Sequence, residues 1–216
     1  EVIIMHKFFT SSYDASVYLQ QPDQNAGRDE ILEVGKLYYG STKDIARALL
    51  KFDISQISAS IVENNITSSY KVYLNLKSAI SEEIPLEYTI YANAVSQSWS
   101  MGTGTKFDNI TSDGVSWKYR DGINSWQDNV IGGTAVYVAG TTGSANAEGG
   151  TWYLSGSASQ SYNYEPDDVR MDITDMISLW VNGSLPNNGL IVHHGLQNEE
   201  NGLDYGVLKF FSKETN

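Results

Sequence analysis

Between Val2 and Phe211 the sequence is a succession of short apolar runs, many alternating with polar residues, separated by Gly, Asn, Asp and Ser. A period of two sends successive side chains to opposite faces, so such runs read as strands with one buried face. The runs fall at 2–9, 15–19, 30–35, 47–54, 70–76, 86–95, 134–139, 151–154, 169–173, 189–193 and 206–211. In the run at 86–95, Leu86, Tyr88, Ile90 and Ala92 share one face. In the run at 47–54, Ala48, Leu50 and Phe52 lie on one face and Leu49, Lys51 and Asp53 on the other, which makes Leu50 and Phe52 the core residues. So many short strands in 216 residues predict one all-β domain over 1–216, a sandwich or a barrel.

Helical signals are sparse. Residues 174–182 form the better case: Asp172 or Thr174 caps the start, Asp175 sits in the first turn and Gly183 ends it. Ile173, Ile177, Trp180 and Val181 would be its buried face. Residues 53–57 read as a short turn. The stretch at about 98–161 differs from the rest, being rich in Gly, Ser, Thr and aromatics, and reads as a loop-rich insertion between core strands.

Composition narrows the partners. A net charge of −12 disfavours binding to nucleic acid, and no apolar run approaches the length that inserts into a membrane. No cysteine is available for a disulfide, a thiolate metal site or a nucleophile. The start Glu1-Val2-Ile3-Ile4-Met5 lacks the pattern of a signal peptide.

Several pieces, in order, carry a resemblance. They are Asp14-Ala15-Ser16-Val17 with Asn25-Ala26-Gly27; Arg47-Ala48-Leu49-Leu50-Lys51-Phe52-Asp53; Tyr73-Leu74-Asn75-Leu76; Asp172-Ile173-Thr174-Asp175 with Trp180 and Gly189; and Phe211-Ser212-Lys213-Glu214. Together they resemble the DNRLRE-domain family, jelly-roll modules of bacterial surface proteins and tailed-phage virion proteins, although the naming tetrapeptide is absent. The resemblance implies a jelly-roll-like β-sandwich, with Asp14, Asn25, Gly27, Arg47, Phe52, Asp53, Asp172, Thr174, Trp180 and Gly189 in structural roles. It also implies a further strand after Ser212-Lys213-Glu214, whose absence would leave an adhesive sheet edge. Read from the residues alone, Arg47 pairs with Asp53 or Asp172, and Asn25-Ala26-Gly27 is a turn.

No pattern of catalysis stands out. The adjacent carboxylates Glu82-Glu83, Asp167-Asp168 and Glu199-Glu200 point opposite ways on an extended chain and do not flank a glycosidic bond. His193 and His194 read as a core histidine beside a surface one, with no activated serine to serve. No cofactor is expected. A structural calcium would draw on Asp14, Asp23 and Asp29, near the Asn25 turn. The insertion and its flank carry Trp99, Trp117, Tyr119, Trp126, Tyr137, Trp152, Tyr153, Tyr162 and Tyr164, an aromatic set that serves a protein interface, a glycan platform or loop packing. The expectation is a non-enzymatic virion protein acting through contacts with copies of itself or other virion proteins. The alternative is a carbohydrate-binding or adhesion module at a bacterial surface.

Overall fold

The computed structural model describes residues 6–63, 70–127, 136–138, 148–163 and 168–215. Eleven strands and three helices are defined among them. They run β1 (Tyr13–Tyr18), β2 (Ile31–Tyr39), β3 (Thr42–Lys51), α1 (Ile54–Glu63), β4 (Tyr73–Leu76), β5 (Glu87–Ala94), β6 (Val136–Val138), β7 (Thr151–Tyr153), β8 (Ala158–Asn163), β9 (Val169–Asp172), α2 (Thr174–Val181), β10 (Leu190–His193), α3 (Leu196–Glu200) and β11 (Gly206–Phe211). The chain is thus mostly β, as its periodicity requires.

The main sheet is antiparallel, with order β11-β2-β3-β10-β5-β8 and β1 added on β3. β3 is its branch point. The carbonyls of Ile45 and Lys51 accept from Leu19 and Ser12, so the odd residues of β3 bond toward β1. The other edge is shared in turn. β2 takes Thr42 to Ala46 and β10 takes Ala48 to Leu50. The sheet therefore divides along one strand and curls. A second sheet pairs β4 with β9, and β6 pairs with β7.

The curl encloses the larger core. Leu32 and Val34 of β2, Ala48 and Leu50 of β3, Ile90 and Ala92 of β5, Leu190 and Val192 of β10 and Leu208 and Phe210 of β11 meet Leu74, Leu76, Val169 and Met171 of the β4–β9 pair. α2 adds Met176, Ile177 and Trp180 beside Ile173. A second core covers the opposite face, where Ala15, Val17, Ile45, Leu49 and Ile191 pack on Val95, Trp99, Val115, Trp117, Trp126 and Trp152. β3 and β10 are consequently buried on both faces, which is why both read as continuous apolar runs.

Several expectations need correction. Residues 53–57 open a ten-residue helix, α1, because the Asp53 carboxylate accepts from the Ser55 N–H at 2.9 Å and from its hydroxyl at 2.7 Å. At α2 the N-cap is Ile173, without a side-chain cap, rather than Asp172 or Thr174; Asp172 lies one residue earlier and accepts from the Thr174 N–H at 3.0 Å. Val181 is exposed and Met176 takes its place on the buried face. Leu86 is exposed, and Phe52 is only partly buried against the core. Residues 158–161 belong to β8, which extends the sheet beside β5, rather than to a loop. Residues 6–9 form no strand, and 2–5 lie outside the described residues. The outer edge of β11 is covered, since Ala79 donates to Lys209, Phe211 to Lys77, and Glu82 and Val207 donate to each other.

The doubly covered β3 makes a direct prediction. Leu49 and Leu50 point into different cores, so Leu49→Ala and Leu50→Ala should each cost about 2–5 kcal/mol in urea unfolding. A sheet wetted on one face would show that cost at only one of the two.

Candidate functional site

The most heavily constructed region lies where the insertion meets the sheet. Arg47 projects from β3 into the second core and is 1% exposed. Its guanidinium bridges the Glu199 carboxylate, with Nη2 to Oε2 at 2.5 Å and Nε to Oε1 at 3.2 Å, and donates Nη1 to the Gly149 carbonyl at 2.8 Å. Rings of Trp117 and Trp152 lie 4.5 and 5.3 Å from the guanidinium carbon, a cation–π enclosure. Glu199 replaces both partners anticipated for Arg47. Asp53 caps α1, and Asp172 is occupied by Lys71 and Thr174, which hold its carboxyl down to about 2. Burial alone would raise Glu199, but the Arg47 charge beside it holds its carboxyl below the usual range.

Glu199 sits in the five-residue α3, which a second buried cation fixes from the other side. Lys36 of β2 donates to the carbonyls of Asn198, at 2.8 Å, and Asn201. Both adjoining histidines are buried, His194 as well as His193. β10 carries them to opposite faces. His193 bonds Asn93 at 3.1 Å and lies against the Trp152 ring at 4.5 Å, while His194 lies near Tyr88 and Tyr205. Burial pushes both imidazoles down to about 4.

A second device fixes the insertion itself. Asn25 is fully buried and its amide donates to the carbonyls of Met101, at 2.6 Å, and Val115, at 2.8 Å. Its carbonyl oxygen accepts from the N–H of Gly27 and Gly104. The turn at Asn25-Ala26-Gly27 is thereby a pin that holds residues 101–115. Space around it is available only to glycine: a Cβ on Gly102, whose φ is +78°, would fall 2.4 Å from the Asn25 amide oxygen, and one on Gly27 would fall 2.1 Å from the Met101 carbonyl.

The aromatic set is mostly inside. Trp99, Trp117, Trp126, Trp152, Tyr153 and Tyr162 are all buried, Trp99 donating to the Asn188 carbonyl and Trp126 to that of Ser116. Tyr162 stacks on Tyr88 at 4.7 Å. Tyr119 is half-buried, and Tyr164 and the Tyr137 side chain lie outside the described residues. Among the described residues the six buried rings are core and offer no exposed face for stacking a sugar. The most exposed large apolar residues among the described part of the insertion are Phe107, Ile110 and Ile123, at 85, 76 and 84%. The signal was an apolar residue set among turn-forming polar ones, as in Lys106-Phe107-Asp108-Asn109-Ile110 and Asp121-Gly122-Ile123-Asn124.

The calcium candidates are dispersed. Asp14 is buried, which raises its carboxyl, and it accepts from the Lys213 N–H; Asp23 pairs with Lys118; Asp29 accepts from the Lys106 N–H. Among the described residues no three of His, Asp and Glu are grouped to hold a metal ion. Thr174 accepts from the Val72 N–H and Gly189 from the Val95 N–H, both structural ties. Comparison with protein families and with curated proteins returns no match.

Two predictions follow from this geometry. Glu199→Gln leaves Arg47 buried without its counter-charge and should lower unfolding free energy by roughly 3–5 kcal/mol, while Arg47→Met with Glu199→Leu together should cost less than either single change. The second concerns pH. The folded histidines titrate at about 4 rather than the ordinary 6.5, so their contribution is complete above pH 6.5 and is lost as pH falls from there to about 4. Loss of about 3 kcal/mol per ring across that window is expected, read as a falling urea midpoint that His193→Asn flattens in part.

Proposed function

We propose that this chain is a non-enzymatic structural protein of a tailed-phage virion, folded as a jelly-roll sandwich and acting through contacts with copies of itself. The fold part of this reading is supported by the branching of the sheet at β3 and the core enclosed by its curl. The DNRLRE-like order of motifs supports it from the sequence side. One observation carries the functional part. The insertion exposes Phe107, Ile110 and Ile123 while its backbone is fixed by Asn25 and its base by Arg47. Apolar side chains on a preorganised loop lose little entropy on docking, which is the economy of a contact surface. The alternative of a glycan-binding module draws less support, because six of the rings named for it are buried: Trp99, Trp117, Trp126, Trp152, Tyr153 and Tyr162.

The test is association of the purified chain, followed by light scattering over a range of concentrations. A defined oligomer is expected, and joint replacement of Phe107, Ile110 and Ile123 by Ser should shift it toward monomer with an unchanged melting temperature. A chain that stays monomeric, or a variant that assembles as the parent does, would overturn the proposal.

A further inference from the structure

The β4–β9 pair borders a groove of about 790 Å³. Its walls include Phe9, Phe52, Ile57, Ile61, Leu74 and Leu76, so its floor reaches the larger core. One wall is a strand edge with bonding capacity to spare. Ile173 donates to the Val72 carbonyl, and the register then directs the backbone groups of Leu74 and Leu76 toward β9. Tyr73, Asn75 and Lys77 must therefore face the other way. The Lys77 carbonyl accepts from Phe211 there, where β11 ends, and Ser212 turns off to donate to Glu30. Beyond that point the N–H groups of Tyr73 and Asn75 have no backbone acceptor among the described residues, and the Tyr73 carbonyl takes only a long bond, 3.4 Å, from the exposed Asn75 side-chain amide, which an incoming strand can displace.

The rim of the groove has a distinct charge. Among the described residues Lys7, Lys71, Lys77 and Arg170 line it with one carboxylate, Asp168, in a chain whose net charge is −12. Lys71 and Lys77 are paired with Asp172 and Asp168, whereas Arg170 lies over the Tyr73 ring, 4.7 Å from its centroid, with no carboxylate in ion-pair reach among the described residues.

We infer that this groove receives an extended segment of a neighbouring protein chain, added as a strand to the free edge of β4. Its backbone pairs with Tyr73 and Asn75. Alternate apolar side chains drop toward Phe9, Phe52, Ile57 and Ile61, and acidic residues flank the strand to meet Lys7 and Arg170. Strand addition of this kind takes affinity from the main chain and selectivity from alternate pockets. The slot is built from different elements than the Phe107, Ile110 and Ile123 surface, so either can fail without the other.

The probe is a synthetic peptide, Glu-Val-Thr-Val-Thr-Val-Glu, and the reading is amide hydrogen exchange. In the free chain the Tyr73 and Asn75 amides should exchange faster than those of Leu74 and Leu76. Saturating probe should slow them by at least about tenfold. Asn75→Pro removes a donor that β9 does not use, so the fold should stand while probe affinity falls by about tenfold or more. Arg170→Glu should weaken binding, most at low salt. The inference is overturned if the Tyr73 and Asn75 amides are already protected in the free chain, which would mean that its own residues fill the slot. It is equally overturned if saturating probe leaves exchange unchanged, or if a peptide N-methylated at alternate amides in either register binds as well as the parent.

Discussion

A guanidinium held between two indole rings and a carboxylate ties together parts of the chain that share no sheet. Arg47 comes from the branch-point strand, Trp117 and Gly149 from the insertion, and Glu199 from α3. A buried ion pair is not in itself a strong source of stability, because both charges lose their water. Its effect here is selective. An Arg47 side chain at 1% exposure is tolerable only when each of its three nitrogens finds an acceptor, and that happens in one arrangement of β3, the insertion and α3. The aromatic walls follow from the same requirement, since they close the site to water while still attracting the cation.

Asn25 does for the loop what Arg47 does for the base. One amide satisfies two carbonyls and one N–H group of segments remote in sequence, besides the N–H of Gly27 in its own turn, within a space that excludes Cβ atoms. A long connection on a β scaffold is ordinarily mobile. Here it is organised as a second core with an apolar tip, and the proposed contact surface depends on that order.

Much of the strand pattern was legible because alternation reports burial directly. β1, β5, β9, β10 and β11 lie within a few residues of the runs that announce them. Legibility ended where burial was two-sided or polar. His193 and His194 alternate as any strand pair does, and only the covering of both faces of β10 buries both. Glu199 was legible only as one of two adjacent carboxylates, because nothing local shows that a cation 152 residues away needs it. The tryptophans were conspicuous in sequence but their direction was not, for an amphipathic ring suits a core and a surface equally. By contrast, α1 was missed despite a readable signal. Asp53-Ile54-Ser55 repeats the Asp172-Ile173-Thr174 pattern at the start of α2, each Asp accepting from the N–H two residues on.

The separation of Arg47 from Glu199 also orders events in time. A ribosome extends the chain from the N-terminus, so β1, β2 and β3 emerge long before α3 does. Until residue 199 is available, the charge of Arg47 has no reason to leave water, and the indoles that enclose it have no reason to close. The insertion core must therefore wait until the stretch from β1 to α3 has been made, and the second layer is completed as a late, cooperative event rather than segment by segment. Slow, non-local closure is the expected kinetic signature of such wiring, and it makes the finished insertion a report that the rest of the domain has been made.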